Sequence, residues 1–215
     1  MSDAIGYYGE GGQAGSQSAY WQYLYNRRAE WGPTYFDARH MFVGSYVYDL
    51  PLGKGKRWGS SMHPVANGVL GGWQLGGILT LHTGFPLTIQ DNDRSGTTAR
   101  GPRANCIGGP AGPEAVGPGA KWFNLAAFQP TRSGTLGSCG VGTVRGPGLS
   151  RFDFSVQKKF PISEAKWLEF RSEFYNLTNT PLFNGPTRNV NSALFCEIRA
   201  AQGERNIQFA LKFYF

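Results

Sequence analysis

Charge is scarce in this sequence. Only 16% of its 215 residues are Asp, Glu, Lys or Arg, against about 25% in a soluble globular domain. Cysteine is scarce too: Cys106, Cys139 and Cys196 form no CxxC pair and stand at no His spacing that suits zinc. His40, His63 and His82 lie far apart, which excludes HExxH and related metal motifs. A G-x-S-x-G elbow is missing. The stretch "GGPAGPEAVGPGAKW" (108–122) lacks phosphate-loop spacing and reads as a flexible loop. These absences assign no catalytic residue, no metal and no cofactor, and the chain is not expected to be an enzyme. Apolar runs are short as well. None reaches the roughly 18 residues of a membrane-spanning helix; the longest, Val69 to Leu81, is broken by Gly71, Gly72, Gly76 and Gly77. Residues 1–12 show no basic region followed by an apolar one, so no signal peptide is visible there.

What the sequence does have is aromatics (14%, led by 15 Phe and 10 Tyr) and 31 glycines. Many aromatics, few charges and many glycines suit strands joined by Gly-rich turns. The net charge of +7 raises the question of nucleic acid. The basic residues are scattered, however. The densest groups, Lys54, Lys56 and Arg57, then Lys158 and Lys159, sit at the ends of apolar runs. They read as solvated turns beside a lipid-facing surface, and no nucleic acid is expected as a partner.

Periodicity is sharpest at the end. In "RNIQFALKFYF", Ile207, Phe209, Leu211, Phe213 and Phe215 alternate with Asn206, Gln208, Ala210, Lys212 and Tyr214. A period of two over a whole strand sorts the two sets onto opposite faces. Residues 166–176 repeat the pattern, with Leu168, Phe170 and Phe174 against Glu169, Arg171 and Glu173. So do residues 150–160, with Phe152, Phe154, Val156 and Phe160 against Arg151, Asp153, Ser155, Gln157 and Lys159. Residues 161–165 predict a tight hairpin turn. A longer strand is predicted within 69–89 and a weaker one within 37–50, with a turn region over 51–64 between them. The total is about five antiparallel strands. Glu169 and Glu173 share a face with Arg171 between them and read as a salt-bridge ladder, not as a catalytic pair.

Alternation alone cannot separate a soluble sandwich from a membrane barrel. Strand length can: predicted strands of ten or more residues exceed the usual five or six and match the 9–11 that cross a bilayer. Trp73, Trp167, Tyr175, Tyr214 and Phe215 lie near strand ends, where aromatic rings can sit between headgroup and hydrocarbon. The links alternate in length, long over 90–149 and 177–204, shorter near Pro51 and Pro161. That matches long loops outside the cell and short turns in the periplasm. Five strands cannot close a barrel of at least eight, so a larger barrel or partner chains are implied. Cys106 and Cys139 bracket a Gly/Pro-rich stretch, and a disulfide between them and three unpaired thiols are both open readings.

These stretches resemble the C-terminal part of a TonB-dependent receptor of the Oar-like, carboxypeptidase-regulatory-like type found in Acidobacteria. The resemblance rests on "RAEWGPTYFDARHMFVGSYVYDLP", "GGWQLGGILTLHTGFPLTI", "GPGLSRFDFSVQKKFPI", "LEFRSEFYNLTNTPLFNGP" and "IQFALKFYF" in that order. It implies that residues 1–215 are the final strands of a transmembrane β-barrel in the bacterial outer membrane, with no plug domain in the chain. It implies import of a large or scarce ligand, with no ligand-binding residue assignable. The terminal ladder Ile207, Phe209, Leu211, Phe213, Phe215 would serve as the signal read by the barrel assembly machinery. Partners would be outer-membrane lipid, that machinery, and TonB only through a plug. The alternatives are a secreted β-sandwich binding module and a barrel-anchored surface or adhesion protein without transport.

Overall fold

Alternating apolar and polar residues dictate the main element, a five-stranded sheet. In the computed structural model, residues 3–5, 7–8, 19–23, 25–99, 101–163 and 165–215 are described. The strands are β1 (Met41–Asp49), β2 (Trp73–His82), β3 (Leu149–Ser163), β4 (Lys166–Tyr175) and β5 (Asn206–Tyr214). Their spatial order, β5-β4-β3-β2-β1, is the chain order reversed. This is an antiparallel meander with β1 and β5 at its edges, as the periodicity predicts.

Register decides the faces. Leu168, Phe170, Ser172 and Phe174 of β4 stand opposite Phe213, Leu211, Phe209 and Ile207 of β5. On the other side they stand opposite Phe160, Lys158, Val156 and Phe154 of β3. The alternate positions of β4, Glu169, Arg171 and Glu173, face Lys212, Ala210 and Gln208.

Three local predictions need correction. The predicted 161–165 turn is mostly strand: β3 runs to Ser163, which pairs with Lys166, so only residues 164 and 165 connect the two. Residue 164 lies outside the described residues. The register shifts between Pro161 and Ser163, a β-bulge that absorbs a proline unable to donate to the ladder. The predicted strand over 69–89 is shorter at both ends. Val69 and Leu70 close a helix, α1 (Pro64–Leu70), with Pro64 in its first turn and His63 as its cap. Gly71 and Gly72, the latter at φ +73°, end it and turn the chain into β2. Beyond His82, Pro86–Leu87 leaves the sheet and pairs with Val144–Arg145.

The chain divides into two compact units. The sheet unit comprises Met41–Leu81, Ser150–Leu182 and Gly203–Phe215. The other comprises Met1–His40, His82–Leu149 and Phe183–Gln202. This second unit holds the conventional core: Leu87, Ile89, Ala104, Phe123, Ala127, Phe128, Val144, Phe195 and Cys196 are all buried. Phe123, Phe128 and Phe195 meet edge-on with ring centroids 5.4–6.1 Å apart. Among the described residues, short two-stranded ladders support it, such as Asn105–Cys106 with Phe128–Gln129. Glycine lets its backbones touch: a Cβ on Gly137 would lie 1.7 Å from the Arg103 carbonyl oxygen.

Candidate functional site

Two surfaces carry chemistry, and the first is the apolar side of the sheet. Ile207, Phe209, Leu211 and Phe213 are 49–69% exposed and Phe215 is 91% exposed. Phe42, Tyr46 and Tyr48 on β1 are exposed as well. A soluble monomer rarely leaves a contiguous apolar surface of this extent to water. A β-sandwich would cover it with a second sheet, yet among the described residues every other sheet has two strands.

The opposite side is a polar ladder. Arg171 Nε lies 3.0 Å from Glu173 Oε1. Glu173 Oε2 accepts from Tyr175 Oη at 3.0 Å and Gln208 Nε2 at 3.2 Å. Gln74 donates to Asp49 at 2.7 Å. Glu169 stands in register with Lys159 and Lys212. The two glutamates thus sit among compensating cations and amides.

The aromatic belt read from the sequence is only partly on the apolar side. Trp167 and Tyr214 stack at 4.7 Å, in register with the Glu169–Arg171–Glu173 face. Tyr175 shares that face through its bond to Glu173. Trp73 does lie on the apolar side, edge-on to Phe170 at 6.5 Å. Strand parity, not proximity to a strand end, decides which way a ring points.

The sequence reading of Lys158 as a solvated turn residue also fails. Lys158 is 2% exposed and lies in the apolar row between Val156 and Phe160. Its ammonium donates to Val69 O at 2.9 Å and to Gly71 O, and sits 5.0 Å from the Trp73 and Phe160 ring centroids. A lysine can occupy this row because carbonyls at the C-terminal end of α1 and its cap accept hydrogen bonds from the ammonium.

The second surface belongs to the unit built from the long links. The 108–122 stretch is a pinned segment and not the flexible loop its composition predicts. Glu114 and Ala115 donate to Trp122 O and Lys121 O, and Gly117 donates to Ile198 O. Cys106 and Cys139 are joined in a disulfide. Cys196 is a buried free thiol, and burial pushes its pKa up to about 12.

Polar groups also converge here, which the sequence did not reveal. Arg103 is 3% exposed and Glu30 0%, and they pair at 2.7 Å. Arg103 also donates to Ala29 O, while its own N–H is taken by Gln22. Arg145 bridges to Asp37 at 2.7 Å and to Gly84 O. Burial alone would raise the Asp91 carboxyl. Hydrogen bonds from Thr131 N, Asn191, the Thr131 hydroxyl and Asn92 N outweigh it and hold the group below its ordinary value. Hydrogen bonds from Arg199 and Lys121 lower Glu197 to about 2. No group of three or more His, Cys, Asp or Glu side chains among the described residues could hold a metal.

A family model described as an outer membrane beta barrel domain matches residues 2–208. The chain belongs to that family. No curated protein and no solved structure matches it. An outer-membrane β-barrel domain turns its apolar strand face to hydrocarbon and its polar face inward. The exposed ladder of Ile207, Phe209, Leu211 and Phe213 is therefore the lipid face, and the Glu169–Arg171–Glu173 row lines the interior. The protein resides in the bacterial outer membrane. No helix among the described residues is long and apolar enough to cross a membrane; the crossing is made by strands.

Proposed function

We propose that this domain is the C-terminal part of the barrel of a TonB-dependent receptor that imports a large or scarce ligand. A siderophore, glycan or peptide fits that class. The observation that carries the reading is the second unit. Residues between β2 and β3 and between β4 and β5 fold around their own core with a disulfide, and the buried Arg103 of the first link pairs with Glu30, which precedes β1. A barrel that only anchors itself needs no such investment in its links, whereas a receptor needs a rigid surface for recognition. Antiparallel alternation sends these two links to one side and residues 50–72 and 164–165 to the other. Outer-membrane barrels put long loops outside and short turns in the periplasm, so these two long links are read as the extracellular, ligand-facing ones.

Strand β5 is a sheet edge, bonded among the described residues to β4 alone. Its free backbone edge suits strand addition by the barrel assembly machinery. Edges β1 and β5 both need partners in hydrocarbon, which further strands of the receptor barrel would supply. The role is binding and passage, with no catalysis and no cofactor; TonB would act through a plug.

The test is uptake. Cells lacking this gene are compared with parent cells for accumulation of labelled ferric siderophores, oligosaccharides and peptides. Loss of one ligand, reproduced by removing TonB, is the expected result. Undiminished uptake of every ligand, together with lost adhesion to surfaces, would favour a barrel-anchored adhesin instead.

A further inference from the structure

We infer that the link between β1 and β2 is an anchor for anionic phospholipid in the periplasmic leaflet; this rests on the orientation given under Proposed function. Helix α1 is fixed to the lipid side of the sheet. The Lys158 ammonium and the Trp73 indole N–H both donate to Val69 O, each at 2.9 Å. No residue of α1 is buried, and Val65, Val69 and Leu70 are exposed. A seven-residue helix held this way cannot be a core element. Its apolar side chains suit the acyl region next to the strands.

The preceding turn supplies charge. Lys54, Lys56 and Arg57 are exposed and make no ion pair among the described residues. The Arg57 guanidinium lies 5.9 Å over the exposed Trp58 ring.

Three unpaired cations, an indole and an exposed apolar helix stand at the end of the strands, where hydrocarbon gives way to headgroups. That set matches a phosphate carrying acyl chains and no ammonium of its own. A zwitterionic lipid would bring a cation into competition with the lysines. Each basic residue near an anionic leaflet is worth about a fivefold preference.

The experiment extracts the full protein from outer membranes in polymer discs and measures co-extracted lipid by mass spectrometry. The wild type should enrich anionic over zwitterionic phospholipid about fivefold or more relative to bulk membrane. The Lys54→Gln/Lys56→Gln/Arg57→Gln variant should fall back to the bulk ratio. Lys54→Arg/Lys56→Arg should keep the enrichment, as should Arg27→Gln/Arg28→Gln/Arg132→Gln, which removes equal charge elsewhere. A bulk ratio in the wild type overturns the inference even if the triple variant fails to assemble. So does equal loss in the control variant, enrichment of lipopolysaccharide in place of phospholipid, or displacement by inorganic phosphate alone. Failure of the wild type to enter the membrane would sink the barrel reading instead, which keeps the two failures apart.

Discussion

Phe209 and Gln208 are neighbours on one strand with opposite surroundings, and an arginine at each should separate lipid from lumen. Strand β5 has nine residues, which at about 3.3 Å each and a tilt of about 40° span roughly 23 Å of membrane. Phe209 lies one residue from its midpoint. It is 69% exposed, so hydrocarbon covers about two thirds of it, worth about 2 kcal/mol. An arginine at the lipid-facing midplane adds a cost of about 2–4 kcal/mol. Phe209→Arg should therefore destabilise the membrane-inserted state by about 4–6 kcal/mol. Gln208 points to the interior and already donates to Glu173 at 3.2 Å. Gln208→Arg gains an opposite charge there and should change stability by at most about 1 kcal/mol. The assay is a urea titration of the protein in vesicles, read by protease protection, with the heat-modifiable band in outer membranes as a second readout. Equal costs for the two substitutions, or a larger one for Gln208→Arg, would refute the assignment of faces.

Three further outcomes follow from the second unit. Reduction, or Cys106→Ser, opens a loop between residues separated by 33 in sequence; in the chain-entropy model this removes about 4 kcal/mol, seen as faster hydrogen exchange across 103–139 with the sheet unchanged. Glu30→Gln leaves the buried Arg103 charge uncompensated and should cost about 3–5 kcal/mol; Glu30→Leu/Arg103→Met should cost much less, and equal costs would refute the argument. The Glu197 carboxyl stands at about 2 when folded against an ordinary 4.5. A depressed carboxyl contributes stability above its unfolded value and loses it as pH falls from about 4.5 towards 2. Acid melts over that range should show a slope in the wild type that Glu197→Gln flattens.

The sheet was legible because period two is a direct projection of its environment. Every second residue of β5 meets lipid, so the pattern is written without interruption. The faces of β3, β4 and β5 follow from parity alone. Their ends do not, because end positions are set by local devices. Val69 shares the period-two parity of Trp73 and Leu75, yet Pro64, the His63 cap and Gly71–Gly72 make that stretch a helix. Pro161 looked like a turn residue and is absorbed by a bulge.

The second unit was not legible for a different physical reason. Its core residues, Ile89, Phe123, Phe128 and Phe195 among them, recur at no fixed spacing, since irregular backbone held by scattered hydrogen bonds imposes none. Glu30 and Arg103 are 73 residues apart, and no local rule connects them. Composition was actively misleading: glycine and proline over 108–122 signal mobility when a segment stands alone, but here glycine is what allows close backbone approach. Gly112 shows it, since a Cβ there would lie 2.2 Å from Phe123 Cα. Lys158 links the two lessons. Parity puts its Cα in the lipid row, where a free ammonium would be costly, and only the carbonyl end of a helix that parity could not see makes the position tolerable. A charge in a lipid-facing row therefore points to a neighbouring group of the opposite polarity, and here that group is the anchor helix itself.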